Sequence, residues 1–383
     1  MKMNTNDYTK EAVGLLKQLI ATPSVSCDEQ AAADVLCAAM DDYGLQWQRE
    51  GNNVWTVSPD FSNERPTLLL NAHIDTVKPV STWTRDPFTP TLKGDRLYGL
   101  GSNDCGGGLV SLLQVFRILT ASPSTLHLPP STFHLPPSTL HLPPSTLHLP
   151  PSTFNLIYLA SAEEEVSGKD GIERVLPLLP KIDVAIVGEP TGMQPATAEK
   201  GLMVIDGYSH GVSGHAARNE GVNAIYEALD DLLWLRDYHF ERESPLLGPT
   251  KMQVTVVESG TQHNVVPDKL HFVIDVRTNE LYRNEDVFEF LQQHVKSELK
   301  ARSFRLHSSS ISDDHWLVRR CRELGMQPFG SPTLSDQALM SFPSLKLGPG
   351  QSSRSHSADE FICLSEISQA IDTYVQLLEG RTP

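Results

Sequence analysis

Apolar residues recur in two rhythms along the chain. The N-terminal stretch MKMNTNDYTKEAVGLLKQLIATPSVS mixes charged and apolar residues at helical spacing and lacks the unbroken apolar run of a signal peptide, so it predicts an amphipathic helix. Beyond it, short apolar runs alternate with helical patterns: RPTLLLNAHIDTV, a helix after Gly106, FNLIYLASA, GIERVLPLLP as a helix, KIDVAIVGEP and finally PSLKLGPG. That alternation predicts an α/β fold, a mainly parallel sheet with helices on both faces. From about 198 to 307 the order becomes strand (GLMVIDGYSHG), helix (VNAIYEALDDLLWL), strand (KMQVTVVES), strand (KLHFVIDVRT), helix (EDVFEFLQQHVKSEL) and strand (SFRLHS). This is the βαββαβ order of a ferredoxin-like α+β unit. The expected organisation is a discontinuous α/β domain, 1–197 with 308–383, and a smaller α+β domain, 198–307, inserted in it.

A heptad repeat interrupts the pattern: STLHLPP, STFHLPP, STLHLPP, STLHLPP and a degenerate STFNLIY fill residues 124–158. Seven is the coiled-coil period, but a Pro pair in every full unit removes helical hydrogen bonds and excludes that structure. A proline-rich docking arm and a histidine metal tract (His127, His134, His141, His148) remain readings beside a plain extended spacer, the one that low complexity favours. The repeat separates a helix from a strand that an ordinary connection would join in two to six residues, so 124–151 reads as an insertion.

A length of 383 residues suits two domains. The formal net charge of −16 argues against nucleic acid or an anionic membrane surface as partner. No stretch has the 18 or more apolar residues of a membrane span. The five cysteines are widely spaced and never in a CxxC pair, which suggests neither a disulfide framework nor a thiolate zinc knuckle and fits a reducing cytoplasm.

Open α/β sheets bind ligands at the carboxyl ends of their strands. Four such ends lead to metal-capable side chains: His73 in NAHIDTV, Glu163–Glu165 in LASAEEEVSG, Glu189 in IVGEPT, and His356 in SRSHSADE beyond LKLG; the glycine-rich loop LYGLGSNDCGGG adds Asp104. Each alone also fits a structural residue. Together, two imidazoles and several carboxylates without a Cys pair make a mixed nitrogen and oxygen set suited to Zn, Mn or Co, and to two cations sharing a bridging group. Asp75, two residues past His73, can orient the imidazole, or serve as a turn or cap residue. Three adjacent glutamates repel one another, so a cation or a proton must make them tolerable. No GxSxG elbow, HExxH helix or GxxxxGK[ST] loop offers another chemistry.

Longer stretches in the same order, WTRDPFTPTLKGDRLYGLGSND, VGEPTGMQPATAEKG, SGHAARNEGVNAI and LGPGQSSRSHSADE, resemble the dizinc amidohydrolases and metallopeptidases that include acetylornithine deacetylase, succinyl-diaminopimelate desuccinylase and aminoacylase. The resemblance covers nearly the whole chain except the repeat and points to the acetylornithine deacetylase branch. It implies two Zn2+ ions, replaceable by Co2+ or Mn2+, with Asp104 bridging, His73 and Glu189 completing one site and Glu165 and His356 the other. It makes Glu164 the general base and His215 of GVSGHAAR an oxyanion donor that reaches a partner subunit's site. Asn264 of HNVVPD and Arg277 of DVRT become ligands for the substrate carboxylate. Glu163 stands where the family commonly has aspartate.

The chain departs from the pattern around the bridging aspartate. The usual Arg two residues after the Tyr and the usual DMKGG give way here to GLGSNDCGGG, and NAHIDTV lacks the usual Gly before His. The resemblance implies a cis peptide at Asp104–Cys105, and leaves Cys105 as a packed thiol or a soft extra ligand. The expected activity is hydrolysis of an N-acyl amino acid, an N-acetylated or N-succinylated ornithine or citrulline of arginine biosynthesis, by a cytoplasmic homodimer joined through the inserted domain. Succinyl-diaminopimelate desuccinylase and dipeptidase activities are the alternatives within the same chemistry, and an inactive scaffold with a proline-rich arm is the alternative outside it.

Overall fold

The computed structural model describes residues 5–121 and 153–379, so the STLHLPP units and their four histidines lie outside the described residues. The main sheet runs in the order Trp47–Glu50, Asn53–Val57, Asn155–Ser161, Thr67–His73, Val184–Val187, Ser344–Lys346, Ala196–Glu199 and Ser309–Ser310, with Phe329–Ser331 also paired to Ala196–Glu199. Its centre is parallel: Asn155–Ser161, Thr67–His73, Val184–Val187 and Ser344–Lys346 run together. Antiparallel strands flank that centre, Asn53–Val57 on one side and Ala196–Glu199 on the other.

Parallel strands buried on both faces read as continuous apolar runs, and every residue of Thr67–His73 and Asn155–Ser161 is buried. Their side chains nonetheless alternate between two cores, as the period of two requires. Leu68, Leu70, Leu156 and Tyr158 pack among the helices Thr5–Ile20, Gln30–Asp42, Gly107–Thr120 and Leu364–Leu378, whereas Leu69, Ile157 and Leu159 pack against Ile172 and Val175. The expected GIERVLPLLP helix is one α-turn, Ile172–Val175, continued as a 3₁₀ turn over Leu176–Leu178, where Pro177 supplies no N–H to prolong it.

Residues 203–301 form a separate four-stranded antiparallel sheet, ordered Lys251–Ser259, Lys269–Arg277, Met203–His210 and Glu298–Ala301. Helices Ala224–Asp237 and Asn284–His294 supply Ala228, Leu235, Val287 and Leu291 to its core. One expectation is corrected here: the last strand is Glu298–Ala301, not SFRLHS, and the helix stops at His294. Val295 and Leu299 are four residues apart, a spacing that fits a helix or a strand equally. The buried Asp231 carboxylate decides, by accepting the N–H groups of Lys296 and Ser297 at 3.0 and 2.8 Å.

Across this sheet Asp206 accepts from Arg302 Nε and Nη2 at 2.8 and 2.9 Å and pairs with His271 Nε2 at 2.9 Å. The Arg302 bonds, aided by His271, hold its carboxyl well below the usual range. A depressed folded pKa adds stability that is complete above the unfolded value of about 3.9 and fades as pH falls through the folded one. Asp206→Asn is therefore expected to lower the urea midpoint at pH 7, and the gap from wild type should close as pH drops below about 4. A gap unchanged down to acid unfolding would contradict the pairing.

Candidate metal centre

The parallel strands deliver their carboxyl ends to one place. Thr67–His73 ends on His73, Asn155–Ser161 leads into Glu163–Glu165, Val184–Val187 into Glu189, and Ser344–Lys346 into the loop of His356. Asp104 arrives on the loop before helix Gly107–Thr120, which approaches the sheet closely: a Cβ on Gly108 would lie 1.8 Å from the carbonyl oxygen of Gly188, next to Glu189. Glycine at both positions lets the Asp104 loop and the Glu189 strand end meet. The Asp104–Cys105 peptide is cis.

Asp104 presents a different oxygen to each imidazole, Oδ1 at 3.3 Å from His73 Nε2 and Oδ2 at 3.6 Å from His356 Nε2. Glu189 Oε1 lies 3.6 Å from the same His73 nitrogen, and Glu165 Oε2 lies 2.9 Å from His356 Nε2. Two groups thus share one carboxylate, His73 with Glu189 and His356 with Glu165. Glu164 Oε2 stands 4.0 Å from His73 Nε2.

Like charges about 4 Å apart repel by about 4 kcal/mol at an effective dielectric near 20, so these carboxylates cannot all stay ionised without protons or cations. Burial and the charge of Glu189 push Glu164 well above its ordinary range, while burial and Asp104 raise Glu189 to about 8. The Glu165 hydrogen bond lifts His356 to about 9. Burial opposes protonation of His73, but the Cys105 sulfur and the carboxylates of Asp104 and Asp75 raise it well above the usual imidazole value. Divalent ions relieve the same repulsion without protons. The donors fit them: Glu189 Oε1 is buried with no hydrogen-bond partner, and ligand atoms of His73, Asp104 and Glu165 lie within 4.8 Å of one another.

The neighbours of these side chains separate their duties. Asp75 is 1% exposed, and His73 Nδ1 meets its backbone oxygen at 2.9 Å and its carboxylate only at 3.5 Å. The carboxylate instead accepts the N–H groups of Glu164 and Glu165 at 3.0 and 3.1 Å and the Ser26 hydroxyl at 2.6 Å. It thereby holds the turn bearing both glutamates as well as the ring. Glu163 takes a left-handed conformation, φ 54°, and turns its carboxylate to the Asp170 N–H, away from the cluster. Cys105 accepts the His73 N–H at 3.1 Å and donates to its carbonyl at 3.4 Å, burial raises its thiol pKa strongly, and its sulfur lies within 4.8 Å of ligand atoms of His73 and Glu189, so it fits both a packed thiol and a soft extra ligand.

The structure does not bring every expected residue to the cluster. His215 and Asn264 are exposed and lie together on a separate tip, where Ala216 donates to the Asn264 carbonyl at 3.0 Å. Arg277 pairs with Asp275 through Nε at 2.8 Å and Nη2 at 3.0 Å. Among the described residues none of the three has a hydrogen bond or ion pair to the cluster. Conversely, sequence reading missed Asp336, Glu360 and the Glu199–Lys346 pair. Asp336 accepts from Ser161 Oγ at 2.5 Å, and burial raises its carboxyl to about 6. Lys346, 2% exposed, reaches Glu199 Oε2 at 3.0 Å. A charged residue inside an otherwise buried strand, as in PSLKLG, was the available signal for Lys346.

Residues 69–129 match the description peptidase family M20/M25/M40, and residues 197–303 match the peptidase dimerisation domain. Both segments are thus similar to M20 peptidases. Acetylornithine deacetylase of Proteus mirabilis is 27% identical to this chain over 400 residues, covering 96% of each chain. Succinyl-diaminopimelate desuccinylase of Delftia acidovorans is 26% identical over 309 residues, 74% of this chain and 72% of that one. Among solved structures, aminopeptidase PepT of Bacillus cereus superposes with a TM-score of 0.72 at 16% identity, covering 97% of this chain and 98% of that one. A dinuclear metal-binding M20 peptidase of Bacillus subtilis gives 0.68 at 14% identity, over 97% and 98%. These likenesses establish the fold. The matched family models and curated relatives make the chain a metal-dependent hydrolase. Among the described residues no helix is long and apolar enough to cross a membrane.

Proposed function

We propose that the chain is a zinc-dependent deacylase of N-acyl amino acids, with N-acetylornithine or N-acetylcitrulline as substrate, working in arginine biosynthesis in the cytoplasm. The observation that carries this reading is the shared carboxylate: Asp104 turns one oxygen to His73 and the other to His356. In this reading two ions would share Asp104, with His73 and Glu189 to hold one and Glu165 and His356 to hold the other. When bound, the ions supply Lewis acidity to the amide carbonyl and to a water molecule. Glu164 takes the water's proton on its carboxylate and passes it to the departing nitrogen, work that suits a carboxyl whose hold on a proton is strengthened by burial. Asp75 keeps Glu164 aimed through the N–H it accepts at 3.0 Å.

The basic side chains favour a short neutral acyl group over succinyl. Lys200 is 7% exposed and spends its ammonium on the Pro249 carbonyl at 2.8 Å. Arg354 is engaged by Glu366 in a two-bond pair at 2.7 and 3.0 Å. Both are already engaged within the chain, which weakens their pull on a terminal carboxylate. Arg277 keeps Nη1 for the substrate's α-carboxylate, since only Nε and Nη2 are taken by Asp275.

The reading divides the chain into a catalytic unit, 1–197 with 308–383, and a lid, 198–307, that dimerises. Strand Lys251–Ser259 is an edge of its sheet, with Val257 52% exposed, and Tyr226, Leu229 and Leu233 line one exposed face of helix Ala224–Asp237. An open edge and an apolar stripe side by side favour pairing with a second copy. His215 and Asn264 would then serve the partner's site. Sedimentation at assay concentration reads the oligomer, and a monomer there would exclude that role.

The deciding assay offers N-acetylornithine, N-acetylcitrulline, their N-succinyl counterparts, succinyl-diaminopimelate and a dipeptide to the zinc-loaded enzyme. The acetyl compounds are expected to turn over fastest. A preference for a succinyl compound or the dipeptide would overturn the assignment, and activity untouched by chelators would overturn the metal centre.

A further inference from the structure

The two halves of the metal centre are built differently. His73 ends a strand of the main sheet and is 2% exposed. His356 stands on a loop with φ 56°, its side chain 55% exposed, and no sheet holds it. Its position depends on whatever fastens residues 350–360 to the loop of Asp104.

That fastening is a clasp of two buried residues. Asn103, 0% exposed, accepts the Gln351 N–H at 3.0 Å on Oδ1, while Nδ2 donates to the Gln351 carbonyl at 3.1 Å and to Ser355 Oγ at 3.3 Å. Glu360, 2% exposed, accepts the N–H groups of Asn103 and Asp104 on one oxygen at 2.7 and 3.0 Å. The carboxamide reproduces the two-bond exchange of an antiparallel strand pair across 248 residues of sequence. It reaches Gln351 because residue 350 is glycine: with φ 85°, a Cβ there would lie 2.3 Å from Asn103 Oδ1. At its far side the same loop is tied by Asp359, which accepts the N–H groups of Thr84 and Arg85 at 3.1 Å.

We infer that Asn103 and Glu360 are positioning residues that set His356 against Asp104, and that their loss loosens the ion held by Glu165 and His356 more than the ion held by His73 and Glu189, which shares only Asp104 with it. The inference rests on the ligand assignment proposed above. His73 ends a strand of the main sheet, and Glu189 follows a strand whose Gly188 N–H donates to the Asn71 carbonyl at 2.8 Å; the Glu189 loop also meets residues 350–351, through the Gly192 N–H to the Gly350 carbonyl at 2.7 Å, but by backbone bonds that need neither the Asn103 nor the Glu360 side chain. Removing groups that orient metal ligands typically weakens metal affinity by about 10–100-fold.

The test loads the full-length enzyme with cobalt(II), raises a competing chelator stepwise, and follows retained metal by elemental analysis and by the visible cobalt bands. Asn103→Ala is expected to release one ion at about 10–100-fold lower chelator strength than wild type and to shift release of the second by clearly less. Gly350→Ala, which pushes the carboxamide aside, should behave alike. Glu360→Gln, which keeps an acceptor oxygen, should lose less than Glu360→Ala. Adding Asn103→Ala to His356→Ala should change nothing further, because the ion it governs is already weakened. Loss of both ions together, or release curves matching wild type in folded Asn103→Ala and Gly350→Ala proteins, would overturn the clasp alone. A wild-type protein holding no stoichiometric metal would overturn the ligand assignment and the clasp with it.

Discussion

Replacing Glu164 by alanine is expected to lower kcat by about 10²–10⁴-fold, the usual contribution of a positioned acid or base, while two equivalents of metal remain bound. The separation follows from geometry. Glu164 lies 4.0 Å from His73 Nε2, farther than Asp104 at 3.3 Å or Glu189 at 3.6 Å, and it has no contact with His356 among the described residues. In the proposed reading it is a poor sixth ligand and a well-placed proton carrier. Burial, first, and the carboxylates of Glu189, Asp336 and Glu165 strengthen its hold on a proton, and each bound cation weakens that hold. Burial and the cations thus act in opposite directions on one carboxyl, which suits a group that must both take and release a proton. KM should change little, since the substrate is held by other groups. Elemental analysis beside steady-state kinetics checks the claim. Activity within a few-fold of wild type would remove Glu164 as the base, and metal lost with the activity would make it a ligand.

The sheet and its loaded strand ends are legible in the sequence because both are local signals. LLLNAH and NLIYLA announce buried parallel strands by continuous apolarity, and the rule that ligands gather beyond such strands picks out His73, Glu165 and Glu189. Where a local pattern fits both a helix and a strand, the outcome passes to a distant partner. Val295 and Leu299 are such a case, and Asp231, over 60 residues away, settles the matter. The same holds for the polar groups around the site. Nothing near Glu360 in SADEF marks it as the acceptor for Asn103 and Asp104, and nothing in TLSDQALM ties Asp336 to Ser161. Buried polar groups must be satisfied, but which partner satisfies them is a property of the fold. His215, Asn264 and Arg277 rested on family likeness alone, and their distance from the cluster leaves their roles to the proposed second subunit and to lid position.

Lys346→Met is expected to cost more stability than any surface change, about 3–5 kcal/mol, the range for breaking one side of a buried ion pair. Lys346 and Glu199 are 2% and 0% exposed and meet at 3.0 Å. The ammonium also donates to the Thr333 carbonyl at 2.8 Å, and Glu199 accepts from Ser335 Oγ at 2.8 Å and Gln337 Nε2 at 3.1 Å. Burial opposes the charge on Lys346, but Glu199 and then Glu189 outweigh it and raise its pKa, so the side chain stays ionised at neutral pH. Methionine matches the stem and removes the cation, leaving the Glu199 carboxylate buried and uncompensated. Most of the loss should return in Lys346→Met/Glu199→Gln, which removes the stranded charge and keeps an acceptor for Ser335. Urea unfolding at a fixed zinc concentration measures the cycle, since metal binding itself shifts stability. The pair holds the 333–337 segment that carries Asp336 to Ser161, beside Glu164, so the double variant should also recover kcat as it recovers stability. A single-variant cost under about 1 kcal/mol, the level of an exposed pair, would show that the pair carries no more weight than a surface one and that water or another cation reaches Glu199.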